Sequence, residues 1–272
     1  METWRVLPFQ IFNACENMAM DEALFRVLQE RGGSPTLRFY GWQRPVLSIG
    51  YFQNAGQEIN LQQCRAHGLD VIRRPTGGKA VLHDQELTYS VVSKEVPPFF
   101  SADLIANYQA ICSCLILGFS ELGIDVSMAK DHRYDRSSGM DSICFACPAP
   151  FELLSRGRKI CGSAQFRSRG CFLQHGSILL EFDVGKNCLF FLNSEETQEQ
   201  GDHLAQKVTS VYGETAKSIS PEMLSRIMQR AFETTWHIRF AEGKLTPEEE
   251  ALKNELLQKK YANPDWNLRG KA

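Results

Sequence analysis

Strand-like runs come in groups along this chain of 272 residues, and helical segments separate the groups. That order constrains the fold more tightly than composition does. A first strand is expected over residues 4–11, "WRVLPFQI", and a helix in "ENMAMDEALFRVLQERGG" that stops at two glycines. "TLRFYGW" and "VLSIGYF" read as strands on either side of Pro45, and "NLQQCRAHG" as a short helix. Further strands are expected near 70–74, 79–82 and 87–93. Residues 103–123 carry the best helical pattern, with Leu104, Tyr108, Ile111, Leu115, Phe119 and Leu122 on one stripe. Asn107, Gln109, Ser113, Ser120 and Glu121 interrupt it, which favours a buried helix over a membrane span. "FELLSRGRKICGSAQ" and "GCFLQHGSILLEFD" form a third strand group, and Ser220-Pro221 and Thr246-Pro247 open two more helices. The pattern predicts an α+β domain with a mainly antiparallel sheet.

Composition narrows the function classes. The formal net charge is −2, so the chain lacks the global basic field of a nucleic-acid binder. The N-terminal "METWRVLPFQIFNACENMAMDEAL" has no cationic region followed by an apolar run, unlike a signal peptide. Nine cysteines in such a chain point to reduced thiols in the cytoplasm, and an odd number cannot all pair within it.

The stretch "RRPTGGKAVLHDQELTYS", residues 73–90, is the first with chemical character. Gly77-Gly78 permits a turn that a Cβ would block and lets a ligand lie against main-chain N–H groups. Arg73, Arg74 and Lys79 bracket the turn with charge suited to a carboxyl, thioester or phosphate group. The spacing is not that of a Walker A loop, since position 73 is Arg and position 80 is Ala, and G-x-G-x-x-G is absent. The plain alternative is a hairpin turn with solvated charges. His83-Asp84 has the composition of an acid–base pair, although a lone strand histidine is more often structural.

The second stretch is "SICFACPAPFELLSRGRKICGSA", residues 142–164. Cys144 and Cys147 form a lone C-x-x-C with no second pair to complete a zinc site and no βαβ unit to suggest a thioredoxin-like pair. A nucleophilic cysteine or inert loop thiols remain. A cysteine attacks as the thiolate, and a neighbouring ammonium lowers the thiol pKa from about 8.5. Lys159 is the candidate, although spacing alone does not bring it to Cys144. Arg156, Arg158, Lys159, Arg167 and Arg169 form a basic cluster with one acid nearby, Glu152, and read either as a docking surface for an acidic partner or as a solvated hairpin. His175 in "LQHGSILL" reads as structural.

Together "RRPTGGKAVLHDQELTYS", "GRKICGSAQ", "LQHGSILL", "ENMAMDEAL", "PTLRFYGWQRPVLSIGYFQ" and the terminal "KYANPDWN" resemble the lipoate/biotin protein ligase superfamily over nearly the whole chain. Within it the resemblance is to the cysteine-loop octanoyl-acyl-carrier-protein:protein octanoyltransferases of Bacillus-like bacteria. The resemblance implies a mixed α/β domain with a large, mostly antiparallel sheet flanked by helices. Residues 1–240 would be the catalytic domain and 241–272 a C-terminal helical extension of it. It implies octanoyl transfer from acyl carrier protein to a lysine of a lipoyl domain, such as the glycine-cleavage H protein, through a cysteine thioester. No cofactor, nucleic acid or membrane is implied, and no ATP, because the donor arrives activated.

The family's nucleophile loop, Cys-Phe-Asp-Ala-Pro in type, matches Cys144 here, with Ala146 where an acid is usual and Cys147 as an extra thiol. The family's lysine matches Lys159, which would lower the thiol pKa and polarise the acyl carbonyl. Arg74, Gly77, Gly78, Lys79 and His83 would line the acyl site, and Gly162 and Ala164 would leave room for the chain. Rival readings are an ATP-dependent lipoate–protein ligase, an octanoyl amidotransferase between lipoyl domains, and a binder without turnover. Ligases tend to read Gly-Gly-Gly where this chain has Gly77-Gly78-Lys79.

Overall fold

The computed structural model describes residues 1–129, 152–191, 198–215 and 217–270. In chain order the elements are β1 (Thr3–Phe12), α1 (Ala14–Arg31), β2 (Thr36–Trp42), β3 (Val46–Ile49), α2 (Ala55–Glu58), α3 (Leu61–Ala66), β4 (Asp70–Arg73), β5 (Val81–His83) and β6 (Glu86–Lys94). After these come α4 (Leu104–Glu121), β7 (Val126–Met128), β8 (Leu153–Ser155), β9 (Arg158–Ser168), β10 (Cys171–Leu179), α5 (Val184–Phe190) and α6 (Gln198–Lys207). The last are α7 (Val211–Thr215), α8 (Pro221–Trp236), β11 (Arg239–Glu242), α9 (Pro247–Leu256) and α10 (Pro264–Arg269). The expected strands and long helices are present; α5, α6 and α7 were not anticipated, being short or polar.

Among the described residues, eight strands form one sheet in the order β11-β1-β2-β6-β10-β9-β8-β7. β1 runs parallel to β2 and β11, and the other neighbours are antiparallel. A second sheet, β4-β3-β5, is smaller.

The main sheet has two unlike faces, because side chains alternate along each strand. One face carries Leu37 and Phe39 from β2, Leu87, Tyr89 and Val91 from β6, and Phe172 and Ile178 from β10. These pack with Ile111, Leu115 and Phe119 of α4 and Leu224, Met228 and Phe232 of α8 into the largest core. Leu104, expected on the α4 stripe, is exposed instead, so the buried face begins near Asn107. α4 is the one helix among the described residues long and apolar enough by composition to cross a membrane, and its buried stripe faces this core.

The opposite face is apolar at one end, where Val92, Cys171 and Leu173 pack on Met20, Leu24 and Phe25 of α1, and polar over the rest. The register aligns Arg38 with Ser90, Tyr40 with Thr88, Ser90 with His175, and Thr88 with Ser177. β9 adds Ala164 opposite His175 and Gly162 opposite Ser177. α1 anchors to this face through buried charge. Asn13 opens the helix with a capping box. About two turns on, Asp21 accepts from Arg38 Nη1 at 2.8 Å, from Tyr40 Oη at 3.0 Å and from His175 Nδ1 at 3.2 Å. Arg38 also donates to Asn17 Oδ1. Burial pushes the Asp21 carboxyl up, but Arg38 and His175 outweigh it and hold the carboxyl below its usual range. Burial pushes the His175 imidazole down, so it is neutral and donates Nδ1–H to Asp21.

The C-terminal segment staples the strand that enters the Gly-Gly turn. Arg73 is buried and donates to the carbonyls of Gly50, Tyr51 and Gln53 at 2.8–3.0 Å, and to those of Trp266 and Leu268 at 3.0 and 3.2 Å. Trp266 Nε1 returns a bond to the Arg73 carbonyl, and Asn267 Oδ1 accepts from the Arg73 N–H. Tyr261, buried nearby, donates its hydroxyl to Glu22 of α1. The terminal "YANPDWN" is therefore structural.

Two predictions follow from the buried charges. Asp21→Asn leaves Arg38 buried without its counter-ion and lowers stability by about 3–5 kcal/mol, read from chemical unfolding. The unfolded histidine protonates near pH ~6.5 while folded His175 stays neutral, so the unfolded state binds more protons below that pH and stability falls with acidification. Asp21 adds a loss of the same sign at lower pH, as its unfolded carboxyl protonates near ~3.9. The melting temperature therefore drops between pH 7 and 5, and His175→Gln flattens that drop.

Candidate active site

The polar face of the main sheet and the small sheet enclose a cavity with about 510 Å³ of empty space, part of it open to solvent. Its walls come from Tyr40 and Trp42 on β2, Ser48 on β3, His83 on β5, Thr88 on β6, Gly162, Ser163 and Ala164 on β9, and His175, Gly176 and Ser177 on β10. Met18, Arg74, Gly78 and Val81 complete it. Of the residues anticipated from sequence, Arg74, Gly78, His83, Gly162 and Ala164 reach the wall; Gly77 and Lys79 sit on the adjoining turn.

The turn is built around Arg74. Its guanidinium donates to the carbonyls of Gly77 and Lys79 at 2.8 and 2.7 Å, to Thr76 Oγ1 at 3.2 Å, and to Ser48 at both Oγ (3.1 Å) and the carbonyl (3.3 Å). The loop folds back on this one cation, which uses its fixed fork of donors to satisfy backbone that would otherwise be buried unpaired. Gly78 has φ +91°, and a Cβ there would lie 2.9 Å from Arg74 Nη2; nothing lies within 4 Å of a Cβ at Gly77. Only the second glycine is demanded by geometry. For Arg73 the expectation of a ligand-facing charge is corrected, since it points to the C-terminal segment; Arg74 holds the turn's own carbonyls while lining the cavity.

Thr76 joins the turn to the sheet, since its hydroxyl lies 2.7 Å from His175 Nε2. With Nδ1–H donated to Asp21, Nε2 is the acceptor. A second buried set lies across the cavity. His83 bonds Ser48 Oγ at 2.7 Å through Nε2 and Glu86 Oε1 at 2.8 Å through Nδ1, and Trp42 stacks on its ring at 4.2 Å. Burial pushes the Glu86 carboxyl up, and His83 with the hydroxyls of Thr88 and Ser177 more than offsets it, so it stays ionised. The acid–base partner of His83 is thus Glu86, not Asp84, which instead accepts from Lys186 Nζ at 2.7 Å at the surface.

Lys159 lies behind the cavity wall. β9 slips one residue in register against β8 between Lys159 and Cys161, and such a bulge re-aims a side chain. The lysine passes over Gly162, where a Cβ would come within 2.8 Å of its Cε and 3.0 Å of its Nζ. Gly162 therefore makes room first for the lysine, besides forming the wall. The ammonium is fully buried and bonds the Glu152 carboxylate. Cys144 and Cys147 lie outside the described residues. Part of the remaining basic cluster is paired: Arg158 with Glu214 at 2.6 Å, Arg156 3.6 Å from the same carboxylate, and Arg167 with Glu95.

Sequence reasoning missed Trp42, Ser48, Asp21, Glu86, Glu152 and the cavity role of His175. A signal existed for most of them. Arg38/Tyr40/Trp42, Glu86/Thr88/Ser90 and His175/Ser177 each repeat polar groups at every second residue against apolar neighbours, the mark of a sheet face reserved for chemistry.

Comparison with known proteins agrees with this geometry. The lipoyl protein ligase A/B catalytic domain matches residues 13–233. Octanoyltransferase LipM of Carboxydothermus hydrogenoformans is 37% identical, with 99% of this chain and all of the relative covered. Octanoyltransferase LipM of Bacillus subtilis is also 37% identical, with 98% and 99% covered. Among solved structures, a lipoate-protein ligase A bound with ATP superposes with a TM-score of 0.81 at 28% identity, over 98% of this chain and 99% of that one. A bi-partite lipoate protein ligase from Thermoplasma acidophilum superposes with a TM-score of 0.82 at 26% identity, over 98% and 97%. By the extent of the matched domain and of these full-length relatives, the chain belongs to the lipoyl protein ligase A/B catalytic domain family.

Proposed function

We propose that this chain is an octanoyltransferase of lipoate biosynthesis, acting in the cytoplasm. It takes octanoyl from octanoyl-acyl carrier protein, carries it on Cys144 as a thioester, and delivers it to a lysine of a lipoyl domain such as the glycine-cleavage H protein. The observation that carries this reading is the cavity walled by Gly162 and Ala164, with the buried Lys159 ammonium directly behind Gly162. The activity named for the full-length relatives supports the same reading.

The chemistry is two acyl exchanges. The Cys144 thiolate attacks the donor's thioester carbonyl, and the carrier's thiolate leaves and takes up a proton. The neutral ε-amine of the acceptor lysine then attacks the enzyme thioester. The C–S bond breaks, an amide forms, and the amine's proton returns to the sulfur. The first exchange is nearly balanced and the second is downhill, so no ATP enters. Lys159 lowers the thiol pKa and polarises the acyl carbonyl. The cavity, walled on one side by the small residues Gly162, Ala164 and Gly176, takes the alkyl chain. At about 0.8 kcal/mol per buried methylene, the octanoyl tail contributes about 5 kcal/mol of binding.

The decisive experiment is intact-mass analysis after incubation with octanoyl-acyl carrier protein. A hydroxylamine-labile octanoyl adduct forms on the wild type without ATP and is lost in Cys144→Ser; full activity in that variant, or a strict ATP requirement, would sink the covalent route. Removing two methylenes forfeits about 1.6 kcal/mol, so a hexanoyl donor is used about tenfold less well, read as kcat/KM. Gly162→Ala drives a methyl into the Lys159 side chain and lowers kcat/KM by about 10²-fold with the fold intact by circular dichroism.

A further inference from the structure

Lys159 is held in an unusual way for a group meant to act as a cation. Its ammonium has no solvent exposure, and an isolated buried ammonium tends to lose its proton rather than stay charged. Three features fix it. The register slip in β9 turns it, the missing side chain of Gly162 lets its Cε and Nζ pass, and the Glu152 carboxylate receives its Nζ. Glu152 is 5% exposed and enters from the residue before β8, and its carbonyl accepts from the Ala129 N–H at 2.8 Å. That bond ties the carboxylate's backbone to the end of β7.

We propose that Glu152 is the positioning residue for Lys159: its carboxylate keeps the lysine charged and aimed across Gly162 at the acyl cavity. The proposal rests on the catalytic reading of Lys159 given above and deepens it. A lone buried cation would be neutral at working pH and would neither favour a thiolate nor polarise a carbonyl. A paired one stays protonated. Among the described residues, the titratable groups around the pair include Cys161 beside it on β9, Tyr108 and Cys112 on α4, and Arg74 at the turn. Burial pushes the thiols of Cys161 and Cys112 and the phenol of Tyr108 up, so these three are neutral through the working range.

The test is the pH profile of kcat/KM for octanoyl transfer, with Lys159→Ala as reference. Glu152→Gln is expected to lose about 10²-fold at pH 7 and to move its alkaline limb to lower pH, because a buried ammonium that has lost its carboxylate deprotonates more readily. Glu152→Asp keeps the charge, and its limb stays in place with a smaller loss. Glu152→Ala regains rate on addition of formate, which supplies a carboxylate in the vacated space; this arm decides if the Gln variant does not fold. An unmoved profile in a folded Glu152→Gln, or no formate rescue of a folded Glu152→Ala, overturns the role of Glu152 while leaving Lys159 catalytic. A fully active Lys159→Ala instead removes the reading on which the inference stands.

Discussion

The site depends on the side-chain alternation of four adjacent strands, β2, β6, β10 and β9. Because successive residues face opposite ways, one set of positions supplies the core beneath α4 and α8, and the interleaved set supplies a polar, small-residue floor. A one-residue slip in any of these strands would put Phe39, Tyr89 or Ile178 on the floor and Tyr40, Thr88 or Ser177 in the core. Core packing and site chemistry are therefore specified by the same register. The small sheet, α1 and the Gly78 turn then convert the floor into a cavity.

The second theme is that the charges buried at the site are paired or caged. Arg38 meets Asp21, Lys159 meets Glu152, His83 meets Glu86, and Arg74 is wrapped by the carbonyls of its own loop. Such pairs add little net stability relative to an apolar core, since desolvation consumes most of the attraction. What they contribute is orientation. Asp21 sets the His175 tautomer, His175 then holds Thr76, and Thr76 holds the turn through Arg74. The C-terminal segment fixes the strand entering the same turn through Arg73, so the cavity lip is braced from both the sheet side and the chain end.

Much of this was legible before the structure. The strand and helix order, the mainly antiparallel sheet, the Gly78 turn, His83, Lys159, Gly162 and Ala164 follow from local pattern, turn chemistry and family resemblance. The misreadings share one cause. Arg73, Arg74 and Lys79 are neighbours in sequence, which says where charges lie along the chain but not which carbonyls they meet. Arg73 bonds residues nearly two hundred positions away. His83 was matched to the adjacent Asp84 because adjacency is what a sequence displays, whereas the bend at Asp84-Gln85 between β5 and β6 brings Glu86 within reach.

The sequence by itself determined the period-two alternation, the Gly-Gly turn, and the residue types able to carry an acyl transfer. Those are local properties, set by sterics and by side-chain chemistry within a few residues. Tertiary structure alone decided which buried charge answers which: Asp21 to Arg38 and His175, Glu152 to Lys159, the terminal carbonyls to Arg73. The reason is physical. A charge taken out of water must find a partner at hydrogen-bonding distance, and only the packing of distant segments determines which partner stands there.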